Sequence, residues 1–314
     1  MASTIHNSLD VTDFVVTKGN GVKGLVNLGI QQVPEKYIQP PEERFDLSKV
    51  VSDESIPVID VSTWNDPEVF NSICEAASKW GFFQIVNHGI PLQVMEDLKN
   101  AAHGFYELPN EERRKYSKGF SPSDTVLLTT SFSPRNEVAL EWTDYLRFSY
   151  VSGNDQASAL WPSVCKDQLL EYMKRAEATI EKLLQVLLQG LNVKEFDKDD
   201  VGGLYAQRGT EDDTWVHVAP VQGALVIIIG DMLQIVSNDR YKSIEHRVVA
   251  NICRNRVSIP VFVNPGPDAV LGPLAELIES GEKPIYKQLL FSDYFKHFFT
   301  KPLDGKKTIA YAKI

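Results

Sequence analysis

Glu245-His246-Arg247-Val248 stands ahead of Arg256-Val257-Ser258, with ten positions separating His246 from Arg256, and the chain then runs on through Ile259-Pro260-Val261-Phe262. Residues from His246 to Asn251 and from Val257 to Val263 are rich in β-branched side chains, which predicts two short strands. The residue types between them suit a binding site. An imidazole can ligate a metal, and a guanidinium with a hydroxyl close by can hold a carboxylate through parallel hydrogen bonds. Each also has an ordinary explanation. A histidine in a strand is more often packed or hydrogen-bonded than metal-bound, and an arginine commonly ends in an ion pair.

Working outward, Gly203 to Gln207, Trp215 to Val218 and Ala224 to Ile229 read as further short strands, so a β-rich half occupies this part of the chain. Before it, Leu169, Met173, Ala176, Ile180, Leu183, Leu187 and Leu191 recur at helical spacing and predict a long helix from about Lys166 to Leu191 with one buried face. Earlier still, Ile56 to Asp60 and Phe82 to Val86 read as strands, each followed by a helix, Pro67 to Trp80 and Pro91 to Tyr106. The tail from Pro284 to Phe299 reads as helical. Residues 1–52 hold turn formers such as Gly19-Asn20-Gly21 and Pro40-Pro41 and little periodicity, the pattern of an extended arm. The resulting division is an N-terminal arm over 1–55 and a single domain over 56–314. That domain comprises a helical half (56–200), a β half (201–283) and a C-terminal helix (284–314).

Composition narrows the function classes. The 314 residues are 43% hydrophobic and suffice for a large core, while 32 Lys+Arg against 42 Asp+Glu give a net charge of -10 without a basic block. Nucleic acid and anionic membrane surfaces are poor partners for such a chain. The longest apolar run, Ala224 to Ile229, is too short to span a bilayer, and the first residues lack a signal-peptide pattern. Cys74, Cys165 and Cys253 are widely spaced and odd in number, as expected of reduced thiols in a cytoplasmic protein.

Further segments accompany His246 and Arg256 in order: Ile56-Pro57-Val58-Ile59-Asp60, Trp80-Gly81-Phe82-Phe83-Gln84, Asn87-His88-Gly89-Ile90-Pro91, Leu108-Pro109, Trp215-Val216-His217-Val218, Gly223-Ala224-Leu225, Gly230-Asp231, Ser237-Asn238 and Ala250-Asn251. Together they resemble the plant iron(II)- and 2-oxoglutarate-dependent dioxygenases. Asp13-Phe14-Val15-Val16, Gly19 through Leu25, Ala139-Leu140-Glu141-Trp142 and Asp304-Gly305-Lys306-Lys307 are similar to the feruloyl-CoA and coumaroyl-CoA ortho-hydroxylases within that family. Arg147-Phe148-Ser149 departs from that group, which is more apolar there. The resemblance implies a mixed α and β fold, an incomplete double-stranded β-helix (jelly roll) with an N-terminal helical layer and a C-terminal helix. It implies His246 as a metal ligand and Arg256 with Ser258 as the grip on 2-oxoglutarate. The cofactors would be Fe(II) and 2-oxoglutarate, with ascorbate as an optional addition, and the substrate a small aromatic CoA ester. The reaction would be ortho-hydroxylation of a hydroxycinnamoyl-CoA in the phenylpropanoid route to coumarins.

One element of the family pattern is missing. Members carry a His-Xaa-Asp pair, preceded by an Asn-Tyr-Tyr-Pro strand, between the long helix and the later strands. Here Leu191-Asn192-Val193-Lys194-Glu195 leads through Phe196-Asp197-Lys198-Asp199-Asp200 straight into Val201-Gly202-Gly203-Leu204-Tyr205. The six histidines are His6, His88, His103, His217, His246 and His297, and none has Asp or Glu two positions later. About five strands against the family's eight make the deficit on the order of forty residues. Metal binding is therefore expected to be impaired, and the alternative reading is a catalytically inactive truncated relative or splice product. His217 is expected to pack in its strand without a metal role, and Asp231 to organise a turn.

Overall fold

The computed structural model describes residues 10–51, 55–134, 136–151, 156–191, 205–207, 214–250, 255–300 and 305–314. In chain order the helices are α1 (Gly21–Asn27), α2 (Pro67–Lys79), α3 (Leu92–Glu107), α4 (Asn110–Arg114), α5 (Ser163–Gly190), α6 (Asp231–Val236), α7 (Ala275–Glu279) and α8 (Phe291–Phe299). The strands are β1 (Val50–Val51), β2 (Val58–Asp60), β3 (Phe82–Val86), β4 (Val126–Thr130), β5 (Asp144–Phe148), β6 (Tyr205–Gln207), β7 (Trp215–His217), β8 (Leu225–Ile228), β9 (His246–Arg247), β10 (Val270–Leu271) and β11 (Leu289–Leu290). The chain folds into two compact units, one drawn from residues 10–44 and 97–170, the other from 45–96, 171–300 and 305–314.

In the first unit β4 and β5 form an antiparallel pair, with Val126 opposite Phe148 and Thr130 opposite Asp144. The expected extended arm is instead partly helical, because α1 docks there. Val22 and Leu25 pack with Val15, Tyr37 and Leu140, all of them buried. The Asp144 carboxylate accepts hydrogen bonds from the backbone N–H groups of Val22 at 2.8 Å and Lys23 at 2.9 Å, which satisfies donors that a helix N-terminus leaves open. Gly21 adopts φ +65°, and a Cβ there would stand 2.5 Å from Asp144 Oδ1. Only glycine allows both that backbone and that approach.

The second unit carries the site. Strand β3 lies centrally, parallel to β2 and antiparallel to β8, with Phe83 opposite Ile227. Phe82, Phe83, Gln84 and Ile85 are all buried, as befits a strand covered on both faces. Alternate side chains enter different clusters. Phe83 and Ile85 pack with Ile73 and Ala77 of α2 and with Leu183 and Leu187 of α5, while Phe82 meets Ile56, Val216, Val218 and Ile244. All seven apolar positions of the long-helix stripe are buried. A second sheet runs in the order β1-β7-β6-β9. These helices and sheets give the expected mixed α and β architecture.

Three expectations need correction. Among the described residues the strand expected from Val257 to Val263 is reduced to a single bridge position at Val263, and the strand expected from His246 to Asn251 stops at Arg247. A ladder needs a neighbour, and without one β-branched residues stay outside a sheet. Val248, Val249 and Phe262 are accordingly 54%, 42% and 74% exposed. The C-terminal helix begins at Phe291 and not at Pro284, because Leu289–Leu290 pairs with Val270–Leu271 and Tyr286 is buried from extended backbone. After Thr300 the tail resumes as a 3-10 helix over Gly305–Ala312. Cys253 and, at the start of the run from Gly203 to Gln207, Gly203 and Leu204 lie outside the described residues.

Candidate active site

His246 sits on β9, paired antiparallel with β6, where it stands opposite Ala206. Its ring leans toward the buried Phe82, with centroids 6.2 Å apart. The residue remains solvent-accessible, yet enough protein surrounds it that desolvation, first, and the Lys306 ammonium, second, lower its pKa to about 4. A backbone hydrogen bond to Ile244 and the Glu245 and Asp231 carboxylates act in the opposite sense. The direction is what matters here, since the accessible surface limits its extent: the ring is held neutral, the form that can donate a lone pair.

Arg256 and Ser258 are brought together by their own spacing. Arg256 Nη1 donates to Ser258 Oγ at 3.2 Å, and both side chains are exposed. Neither shares a hydrogen bond or ring contact with His246 among the described residues. Five residues beyond Arg256, Val261 reaches a narrow apolar cavity of about 10 Å³ between α5 and β8, lined also by Ala176, Ile180 and Ile227. That volume holds about one water and reflects packing, with no room for a substrate.

The carboxylates nearest His246 are committed elsewhere. Glu245 pairs with Arg247 at 3.0 Å. Asp231 was expected to shape a turn; it instead starts α6, with a side chain only 11% exposed, and accepts from Ser243 Oγ at 2.7 Å, Tyr294 OH at 2.8 Å and Lys306 Nζ at 2.9 Å. Burial alone would raise its pKa, but Lys306, Ser243 and Tyr294 outweigh burial and hold it below the usual carboxylate value. His217 is exposed on β7. Among the described residues no three histidine, cysteine, aspartate or glutamate side chains converge as a metal site. The described residues therefore do not fit a metal held by two histidines and a carboxylate. Sequence reasoning missed the cluster of Ser243, Tyr294 and Lys306 around Asp231. Its one available signal was Lys306 within the Asp304-Gly305-Lys306-Lys307 stretch.

A jelly-roll assembly with a strand histidine and an Arg-Xaa-Ser pair defines a class that the comparisons with known proteins identify. Residues 56–167 match the family described as non-haem dioxygenase in morphine synthesis N-terminal, and residues 188–265 match the 2OG-Fe(II) oxygenase superfamily. The chain belongs to the 2-oxoglutarate and iron(II) dependent oxygenases. Within them it groups with plant feruloyl CoA ortho-hydroxylases. One from Ipomoea batatas is 50% identical over 358 residues, covering 100% of this chain and 99% of the relative. Feruloyl CoA ortho-hydroxylase 1 of Arabidopsis thaliana is 46% identical over 359 residues with the same coverage, and a bi-functional coumaroyl CoA and feruloyl CoA ortho-hydroxylase of Ruta graveolens is 45% identical over 348 residues, 96% of this chain and 95% of the relative. The crystal structure of JOX2 in complex with 2OG, Fe and JA superposes with a TM-score of 0.79 at 26% identity, covering 94% of this chain and 97% of that one. A dioxygenase for auxin oxidation in rice shares the fold at a TM-score of 0.64 and 18% identity, covering 83% of this chain and 100% of that one. The Ipomoea alignment spans 358 positions against the 314 residues of this chain, so at least 44 positions have no counterpart here. That difference matches the deficit expected from the strand count.

Proposed function

We propose that the chain carries the cosubstrate and distal-histidine wall of a hydroxycinnamoyl-CoA ortho-hydroxylase, and that its metal binding is impaired. The observation that carries this reading is full-length similarity to feruloyl CoA ortho-hydroxylases, retained through an Arg256 and Ser258 already in hydrogen-bond contact. In this reading Arg256 holds the distal carboxylate of 2-oxoglutarate through parallel charged hydrogen bonds, and Ser258 adds a third while fixing the guanidinium. His246 is the single family ligand left. The absent positions fall between Asp200 and Val201, outside the described residues, and would hold the His-Xaa-Asp pair. The protein would be soluble and cytoplasmic, with a small aromatic thioester as its partner, and the assignment of 56–314 to one dioxygenase domain belongs to the same proposal.

A second reading, a catalytically inactive relative, is favoured by the donor count, since one protein ligand rarely retains a labile divalent ion where three are usual. One experiment tests the impaired metal binding that both readings share. Purified protein reconstituted anaerobically with Fe(II) is assayed for bound iron and for succinate release with feruloyl-CoA and coumaroyl-CoA. We expect substoichiometric iron and no substrate-dependent succinate. Stoichiometric iron with succinate release would mean that other residues complete the metal site, and the impairment would be rejected.

A further inference from the structure

Ser243, Tyr294 of α8 and Lys306 of the C-terminal tail meet at Asp231, and Ser243 stands at the start of the segment that carries His246. Ser243, three residues ahead of His246, donates its Oγ hydrogen to Asp231 and its backbone N–H to Gln234 Oε1 at 2.7 Å. Lys306 Nζ donates to both Asp231 Oδ1 and Ser243 Oγ. Tyr294 of α8 closes the other carboxylate oxygen. The residue before Lys306 is equally constrained. Gly305 adopts φ +66°, and a Cβ there would stand 2.7 Å from Glu245 Oε2, so the tail lies directly against the residue preceding His246.

On its other side β9 pairs, among the described residues, with the three-residue strand β6 at the edge of its sheet. A two-residue edge strand with so short a partner has few ladder bonds to fix it. The polar cluster supplies what the ladder lacks: a charge-assisted lysine bond to a nearly buried carboxylate, shared with the hydroxyl at the start of the segment.

We propose that Lys306 is a positioning residue, holding the Ser243–His246 segment in place from the C-terminal tail through Asp231 and Ser243. The proposal rests on the reading of His246 as a site residue.

The test is NMR of full-length protein with isotopically labelled histidine, the His246 ring line being assigned by its loss in His246→Gln. The expected result is one sharp His246 line in the unaltered protein, broadened or doubled in Lys306→Met and restored to a single line in Lys306→Arg. Ser243→Ala keeps the lysine charge and is expected to broaden the same line, so it decides the matter should Lys306→Met fail to fold. His88, buried and bonded to the Gly223 carbonyl at 2.8 Å, serves as the internal reference and should not change. A His246 line that moves but stays single and sharp in the variants reports lost charge alone and overturns the proposal. Equal broadening of His88 reports general loosening and overturns it too. Since no metal or substrate enters the measurement, its result is separate from the impaired metal binding, which the iron and succinate assays test.

Discussion

The contact of Arg256 with Ser258 follows from a local pattern, since a serine two positions on in an extended stretch faces the same way. Arg256→Ala should abolish saturation by 2-oxoglutarate in any form of the chain that turns over. A charge-assisted bond to a carboxylate contributes roughly 1.5–3 kcal/mol, on the order of tenfold or more in cosubstrate affinity; unchanged cosubstrate dependence would dismiss its assigned role. Asp144 was not legible, because its partners, Val22 and Lys23, lie far away in sequence. Burial raises its pKa although the two backbone N–H groups, Thr130 and Arg113 pull it down. A carboxyl group whose folded pKa exceeds its unfolded value binds its proton more tightly when folded. Its contribution is therefore fully present below the unfolded value, about 3.9, and is lost as pH rises through the raised one. Urea midpoints measured upward from about pH 4 should show this decline in the unaltered protein and a flatter profile in Asp144→Asn; parallel profiles would assign the slope to other groups.

Among the elements, those with their own periodicity were read correctly and those made by contact were not. Helix α5 announces itself through seven apolar positions that are all buried, and β3 through a run of aromatic and β-branched residues. Leu187 is 1% exposed within the main cluster, so Leu187→Ala should lower the unfolding free energy by about 2–5 kcal/mol, readable by chemical denaturation. A loss below about 1 kcal/mol would mean that this part of the core collapses around the cavity or is already loose. By contrast α1 is short and starts at Gly21, with Gly24 inside it, so its propensity is low and docking on Leu140 and Asp144 forms it. The tail misled for the opposite reason. Tyr286 and Leu289 fit a helical spacing with Tyr294, but β10 offers an antiparallel partner and extended backbone wins. The run Val257 to Phe262 has the composition of a strand and lies in none among the described residues, as expected where β-propensity describes a fit to neighbours more than a local preference.

At the scale of the whole molecule, the jelly-roll family was legible from ordered motifs along nearly the full length, whereas the cluster that braces His246 needed the tail to be seen folded back. Inserting the corresponding strands of an intact ortho-hydroxylase between Asp200 and Val201 should restore cooperative unfolding together with iron-dependent hydroxylation. Returning strands would pair open edges and cover apolar side chains at roughly 1.5–3 kcal/mol each. A chimaera that unfolds cooperatively and binds iron but hydroxylates neither feruloyl-CoA nor coumaroyl-CoA would reject the substrate, and one that stays unfolded would place further damage elsewhere. The exposure of Val248, Val249 and Phe262 has one more consequence, which concerns cellular fate. Apolar side chains on unladdered chain are what chaperones and proteases engage, and what neighbouring copies adhere to during synthesis. Turnover by quality control, more than the supply of transcript, is then the expected limit on how much polypeptide accumulates.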